Sequence, residues 1–197
     1  MKKTVFLLLL ILIIFSSVGC RAILGFGMLL GMETVHESSP EKYGCWEKYH
    51  SVPSFLPEKL DGYTVNSFSY TLYNYFDTCY EVFLDLTVSK EQFYELIENS
   101  KSYSDAYTEK SAYYADGYME IVFADMYENG EIDEYDGLRQ VGNAEIDKVI
   151  CNSDTCNIIF VSFHAEDTGV YDVENVAYFN RFSISPESYI DKSNKTE

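Results

Sequence analysis

Cys151 and Cys156 flank Asn152, Ser153, Asp154 and Thr155, a polar loop between two apolar runs. On the arms of a hairpin the sulfurs of such a pair face each other, so the expectation is a disulfide between Cys151 and Cys156. Cys45 and Cys79 then pair by elimination, one of the three connectivities that four cysteines allow. Zinc is the competing chemistry for the same thiols, and the spacing argues against it. The chain offers one short-spaced pair, C-x4-C, and its histidines, His36, His50 and His164, are scattered. His164 has Ser162, Glu166 and Asp167 close by in sequence. A Ser-His-Asp relay, however, needs groups that converge from separate loops, and neighbours on a strand point to opposite faces. No GxSxG, HExxH, Walker-type or dinucleotide glycine motif is present. No catalytic site assembles from these residues, and a non-catalytic protein is expected.

The 18 tyrosines and Trp46 offer stacking platforms for sugars or peptides, since the ring is apolar while the hydroxyl stays wet. The favoured reading is that tyrosine serves as a strand residue on a half-exposed sheet. From Ser111 to Leu138 there are eight acids and no Lys or Arg, ordinarily a solvated face and otherwise a patch for a divalent ion or a basic partner. Within it, Asp125 to Asp136 (DMYENGEIDEYD) resembles the calcium loop of EF-hand proteins. The resemblance implies Asp125, Asn129, Asp133 and Asp136 as calcium ligands, Gly130 as the turn glycine and Ile132 as the apolar residue. Tyr127 stands where the pattern has an acid, and Asp136 where it has a longer glutamate. The residues before the loop read as strand, so an acidic hairpin turning at Asn129-Gly130 is preferred and no cofactor is expected.

The elements that must position these groups follow from period and punctuation. Thr64 to Phe76 and Cys79 to Val88 alternate as strands around an Asp77-Thr78 turn, with Tyr80, Val82, Leu84, Leu86 and Val88 on one face. Ser89 to Ser100 reads as a helix: Ser89 and Gln92 have capping-box spacing, and Phe93, Leu96 and Ile97 form one stripe. Ser111 to Ala115 and Tyr118 to Met126 flank the turn pair Asp116-Gly117. Ile146 to Cys151 and Cys156 to His164 form another hairpin, and Val176 to Ile184 is expected as the last strand. The expected fold is therefore α+β, an antiparallel sheet of about five to seven strands with one helix packed on one face.

Met1, Lys2 and Lys3 precede an apolar run from Thr4 to Phe15, followed by Ser16, Ser17, Val18, Gly19 and Cys20. The segment resembles the bacterial lipoprotein signal, whose lipobox ends in a small residue and a cysteine; Ser17 stands where leucine is usual. The resemblance implies a diacylglycerol on the Cys20 sulfur, with palmitate among the acyl chains, cleavage before Cys20, and a domain held by lipid on the outer, extracytoplasmic face of the cell membrane. A rival reading makes residues 4–32 an uncleaved anchor, with Arg21 inside it and Gly27 and Gly31 as a helix-packing GxxxG. The organisation expected is a signal peptide over 1–19, a tether over 20–42, a single domain over 43–184 and a polar tail over 185–197.

With 14 Lys+Arg against 32 Asp+Glu, a net charge of -18 excludes binding to the phosphate backbone of a nucleic acid. With 11 glycines, 4 prolines and 47% hydrophobic residues, the chain is neither collagen-like nor disordered throughout. The expected role is a lipid-anchored binding domain for a protein or carbohydrate ligand. The alternatives are a structural component of the envelope and an enzyme with a site that no motif announces.

Overall fold

The computed structural model describes residues 33–74, 78–111, 117–127, 134–135, 138–140, 144–165, 170–171 and 176–182. The signal segment, Cys20, the rival anchor over 4–32, the Asn129-Gly130 turn and the tail over 185–197 lie outside them. Seven strands form one antiparallel sheet in the order β1 (Glu33–Glu37), β2 (Thr64–Asn74), β3 (Thr78–Thr87), β9 (Asn157–Ala165), β8 (Ala144–Asn152), β5 (Tyr118–Tyr127), β4 (Thr108–Ser111). A second sheet of three short strands runs β10 (Val170–Tyr171), β7 (Leu138–Gln140), β6 (Glu134–Tyr135). Helix α1 spans Lys90–Lys101 and helix α2 spans Ala177–Phe182. The fold is mainly β, and the antiparallel sheet expected from the alternating runs has seven strands.

Alternation places the core. The β3 residues Val82, Leu84 and Leu86 share one buried cluster with Phe68, Tyr70 and Leu72 of β2 and with Phe93, Leu96 and Ile97 of α1, while Tyr80 and Val88 pack against it. Cys79 and Phe83, on the other face, join a second cluster with Ile146, Val161, Phe163 and Tyr178. The central strands β3, β9 and β8 are thus buried on both sides, and the charged residues they carry, such as Glu81, Asp85 and Lys148, are buried with them. The start of α1 is fixed locally: Ser89 Oγ accepts from the Gln92 amide at 3.3 Å, and Gln92 Oε1 accepts from the Ser89 amide at 3.0 Å. Between β4 and β5, Gly117 has φ +80, and a Cβ there would stand 3.0 Å from the Asn152 side-chain amide, so glycine is required twice over.

Three expectations are corrected. The polar segment expected as tether already belongs to the sheet: β1 pairs with β2 from Glu33↔Asn74 to Glu37↔Tyr70, Val35 packs on the core, and His36 Nδ1 lies 2.9 Å from Thr71 Oγ1. The expected strand from Val176 is instead α2, so the described residues hold a second α-helix beside α1. The Glu81 carboxylate, on β3, accepts the amides of Ala177 at 2.8 Å and Tyr178 at 2.9 Å, satisfying two of the donors that a helix start leaves over. Finally, none of Cys45, Cys79, Cys151 and Cys156 is cross-linked. Cys79 is buried in one cluster while Cys45 packs against the other, so the sheet lies between them. In the hairpin Cys151 faces Ile158 rather than Cys156. Cys156 sits in the turn with φ 51, and its sulfur is directed to the Ser153 carbonyl at 3.8 Å.

A buried ion cluster links β4, β5 and β8. Lys148 is fully buried, and its Nζ lies 3.2 Å from Asp125 and 3.7 Å from Glu120, which is also fully buried. Lys110 Nζ approaches the same two acids at 3.2 and 3.6 Å. The buried Lys148 and Glu120 are thus joined by the partly exposed Lys110 and Asp125, so that two cations and two anions neutralise one another, the condition under which buried charges are tolerated.

Candidate functional site

Residues two apart on a strand share a face, and the β8–β9 hairpin fixes which of them meet. Counting back from Asn152↔Asn157, Asp147 faces Ser162 and Glu145 faces His164; β3 continues both rows, with Val82 beside Ser162 and Tyr80 beside His164. Tyr80, Ser162, His164, Glu145 and Asp147 thus occupy one patch at one end of the sheet, on the face that carries Val82, Leu84 and Leu86. The chain from Ser51 to Ser54 crosses this end and completes a cleft of about 500 Å³ lined by Tyr80, Tyr103, Glu145, Asp147 and His164. That volume is in the range of small-ligand sites.

The walls are aromatic. His50 stacks on Tyr80 at 4.0 Å between ring centroids, and Tyr80 stacks on His164 at 5.6 Å. Tyr103, 38% exposed, stands at the rim and is held edge-on to Phe55 at 5.3 Å and Phe123 at 5.2 Å. The strap is fixed to the helix, since Ser100, fully buried, donates its hydroxyl to the Leu96 carbonyl at 2.7 Å and lies 3.4 Å from the Phe55 carbonyl.

The electrostatics are negative. Asp147 is only 6% exposed, and burial pushes its carboxyl up to about 6; Glu145 adds to the rise, while Ser162 and His164 oppose it. Burial likewise lifts the Tyr80 hydroxyl to about 12, with Asp147 and Glu145 contributing. Burial lowers the His50 imidazole, and His164 lowers it further. Both His50 ring nitrogens are buried without a hydrogen-bond partner among the described residues. Among the described residues no Lys or Arg lines the cleft. The described lining therefore has carboxylates and ring faces to offer a cation.

Of the residues singled out in the sequence, His164 and Ser162 do come together with an acid, but that acid is Asp147 of the neighbouring strand, not Glu166 or Asp167, which lie outside the described residues. Asp125 of the calcium-loop resemblance is on β5 with its carboxylate taken up by Lys110 and Lys148. Asn129, Asp133 and Asp136 lie outside the described residues. Among the described residues no three His, Cys, Asp or Glu side chains are grouped to hold a metal ion, and no helix is long and apolar enough to cross a membrane. Glu145, Asp147, Tyr80, Tyr103 and His50 were not read as a site. The i, i+2 spacings Glu145/Asp147 and Ser162/His164 on two arms of one hairpin are the signal that could have found four of the cleft's groups.

Compared with known protein families, curated proteins and solved structures, the chain matches none.

Proposed function

We propose that this chain is a lipid-anchored extracytoplasmic domain that binds a ligand without transforming it, and that the contact is the aromatic, acidic cleft at the end of the large sheet. In this reading Cys20 carries the lipid and α1 covers one face of the sheet, leaving the end beyond it for the ligand. The observation that carries the reading is Tyr103, an exposed ring buttressed by Phe55 and Phe123 beside a concave surface. Buttressed aromatics lose little freedom on binding and are the usual anchors of recognition sites.

The test is thermal melting of the full chain in non-ionic detergent, with and without members of a panel of short peptides, oligosaccharides and amines. The expected result is that one class raises the melting temperature of the wild type and not that of Tyr103→Ala. A panel that leaves both proteins unmoved, or moves them equally, contradicts the reading. Intact mass of the membrane-extracted protein beside Cys20→Ser tests the anchor separately: a mature chain starting at Cys20 with acyl mass supports it, and retention of residues 1–19 in both proteins contradicts it.

A further inference from the structure

The cleft holds two carboxylates on one strand face, two residues apart, and so about 7 Å apart along β8. One of them, Asp147, is almost wholly out of water, and its cross-strand neighbour is a serine rather than a cation. Among the other buried carboxylates of the described residues, Glu81 accepts two backbone amides, Asp85 is held by Asn66, Asn157 and Arg181, and Glu120 lies beside two lysines, whereas Asp147 has the Ser162 hydroxyl and the His164 imidazole near it and no full positive charge. Asp147 and Glu145 make no ion pair with Lys or Arg among the described residues. The described lining that remains is the segment Ser51 to Ser54 with Val52 and Pro53, the imidazole of His164, and the rings of Tyr80 and Tyr103.

Resting on the binding reading above, we propose that the ligand of this cleft is a small organic cation, a primary amine or diamine whose ammonium group lies between the Glu145 and Asp147 carboxylates and against the tyrosine rings. Three features single out this class. Because the N–H bonds of an ammonium diverge at about 109°, one donating to both acids at ordinary hydrogen-bond length holds their oxygens about 4.5 to 5 Å apart, within reach of side chains rooted about 7 Å apart on one strand face. Ring faces attract a cation and tolerate the methylenes that follow it. The net charge of -18 concentrates cations at the surface before they dock. An anion would meet two carboxylates, and a neutral sugar would leave their mutual repulsion unrelieved.

The experiment is calorimetric titration of the full chain in non-ionic detergent with n-butylamine and 1,4-diaminobutane, set against n-butanol, butyrate and calcium chloride. The amines are expected to bind and the other three not to. Asp147→Asn is expected to weaken the amines about 10- to 100-fold, the loss of one charge-assisted hydrogen bond, and Glu145→Gln to weaken them less. Glu58→Gln, at an exposed acid away from the cleft, leaves affinity unchanged. Because Glu145 is exposed, its variant keeps the fold even if Asp147→Asn does not, and circular dichroism checks both. Amines that bind no better than n-butanol, equal affinity in wild type and Glu145→Gln, or calcium binding more tightly than either amine overturns the proposal. If an oligosaccharide or peptide binds in a Tyr103-dependent way while amines do not, the amine class is wrong and the binding reading stands; if nothing binds, both fall.

Discussion

Glu81→Gln converts a fully buried carboxyl into a neutral amide of the same shape. In the wild type the carboxylate caps α2 through the amides of Ala177 and Tyr178, which favour its charged form, yet burial outweighs them and lifts the carboxyl from 4.5 to about 7. A folded-state value above the unfolded one means that the folded protein holds the proton more tightly. Stability from this group is therefore fully present below about pH 4.5 and is lost as pH rises through about 7, a loss of about 3 kcal/mol. The amide still accepts from a backbone donor and cannot ionise, so the variant lacks this slope. It costs about 1 kcal/mol at low pH for the second, poorer hydrogen bond. Urea unfolding of both proteins between pH 4.5 and 8 measures the difference directly, and the Asp147 contribution, present in both, cancels. The wild type is expected to lose about 3 kcal/mol relative to Glu81→Gln across that window. Parallel profiles, within about 0.5 kcal/mol, would refute the claim that burial dominates at Glu81.

Other expectations follow from the same packing. Lys148→Met removes the buried cation beside Glu120 and Asp125 and is expected to cost about 3 to 5 kcal/mol in urea unfolding, with Lys148→Met plus Glu120→Gln recovering part of it. Ser89→Ala removes one arm of the capping box and is expected to lower stability by about 1 kcal/mol in the same assay while leaving the core packing unchanged. Peptide mapping under non-reducing conditions is expected to recover Cys79 and Cys45 on separate peptides, and reductant is expected to leave the melting temperature unchanged; a Cys45–Cys79 peptide contradicts the placement of the two on opposite faces.

How much of this was legible in the sequence depends on whether the deciding force was local. The faces of β3, the capping box at Ser89 and the apolar stripe Phe93, Leu96 and Ile97 are set by alternation, by a side chain three residues away and by helical period, and each reads correctly. Residues 176–182 do not: Val176, Tyr178, Asn180 and Phe182 alternate like a strand, while Tyr178 and Phe182 are equally one helical turn apart. The choice between the two is made by Glu81, 96 residues earlier for Ala177, and no local pattern carries it. The thiols were misread because loop length implied a symmetric hairpin. The left-handed residue at Cys156 places that cysteine in the turn and sets Cys151 opposite Ile158 instead. The cleft was half visible, since hairpin register alone joins Asp147 to Ser162 and Glu145 to His164, but Tyr80 and His50 arrive through a strand pairing and a strap that no spacing announces.

The most direct test uses the three histidines as reporters. His164 lines the cleft and His50 stacks on its Tyr80 wall, whereas His36 lies on β1 beside Thr71, so the imidazole proton spectrum of the full chain contains one signal at the site, one directly beside it and one control. On titration with 1,4-diaminobutane the His50 and His164 signals are expected to shift saturably while His36 stays in place, and Asp147→Asn is expected to abolish the shifts. Signals that all stay in place at saturating amine, or all move together, would contradict the cleft as the binding site for a cation.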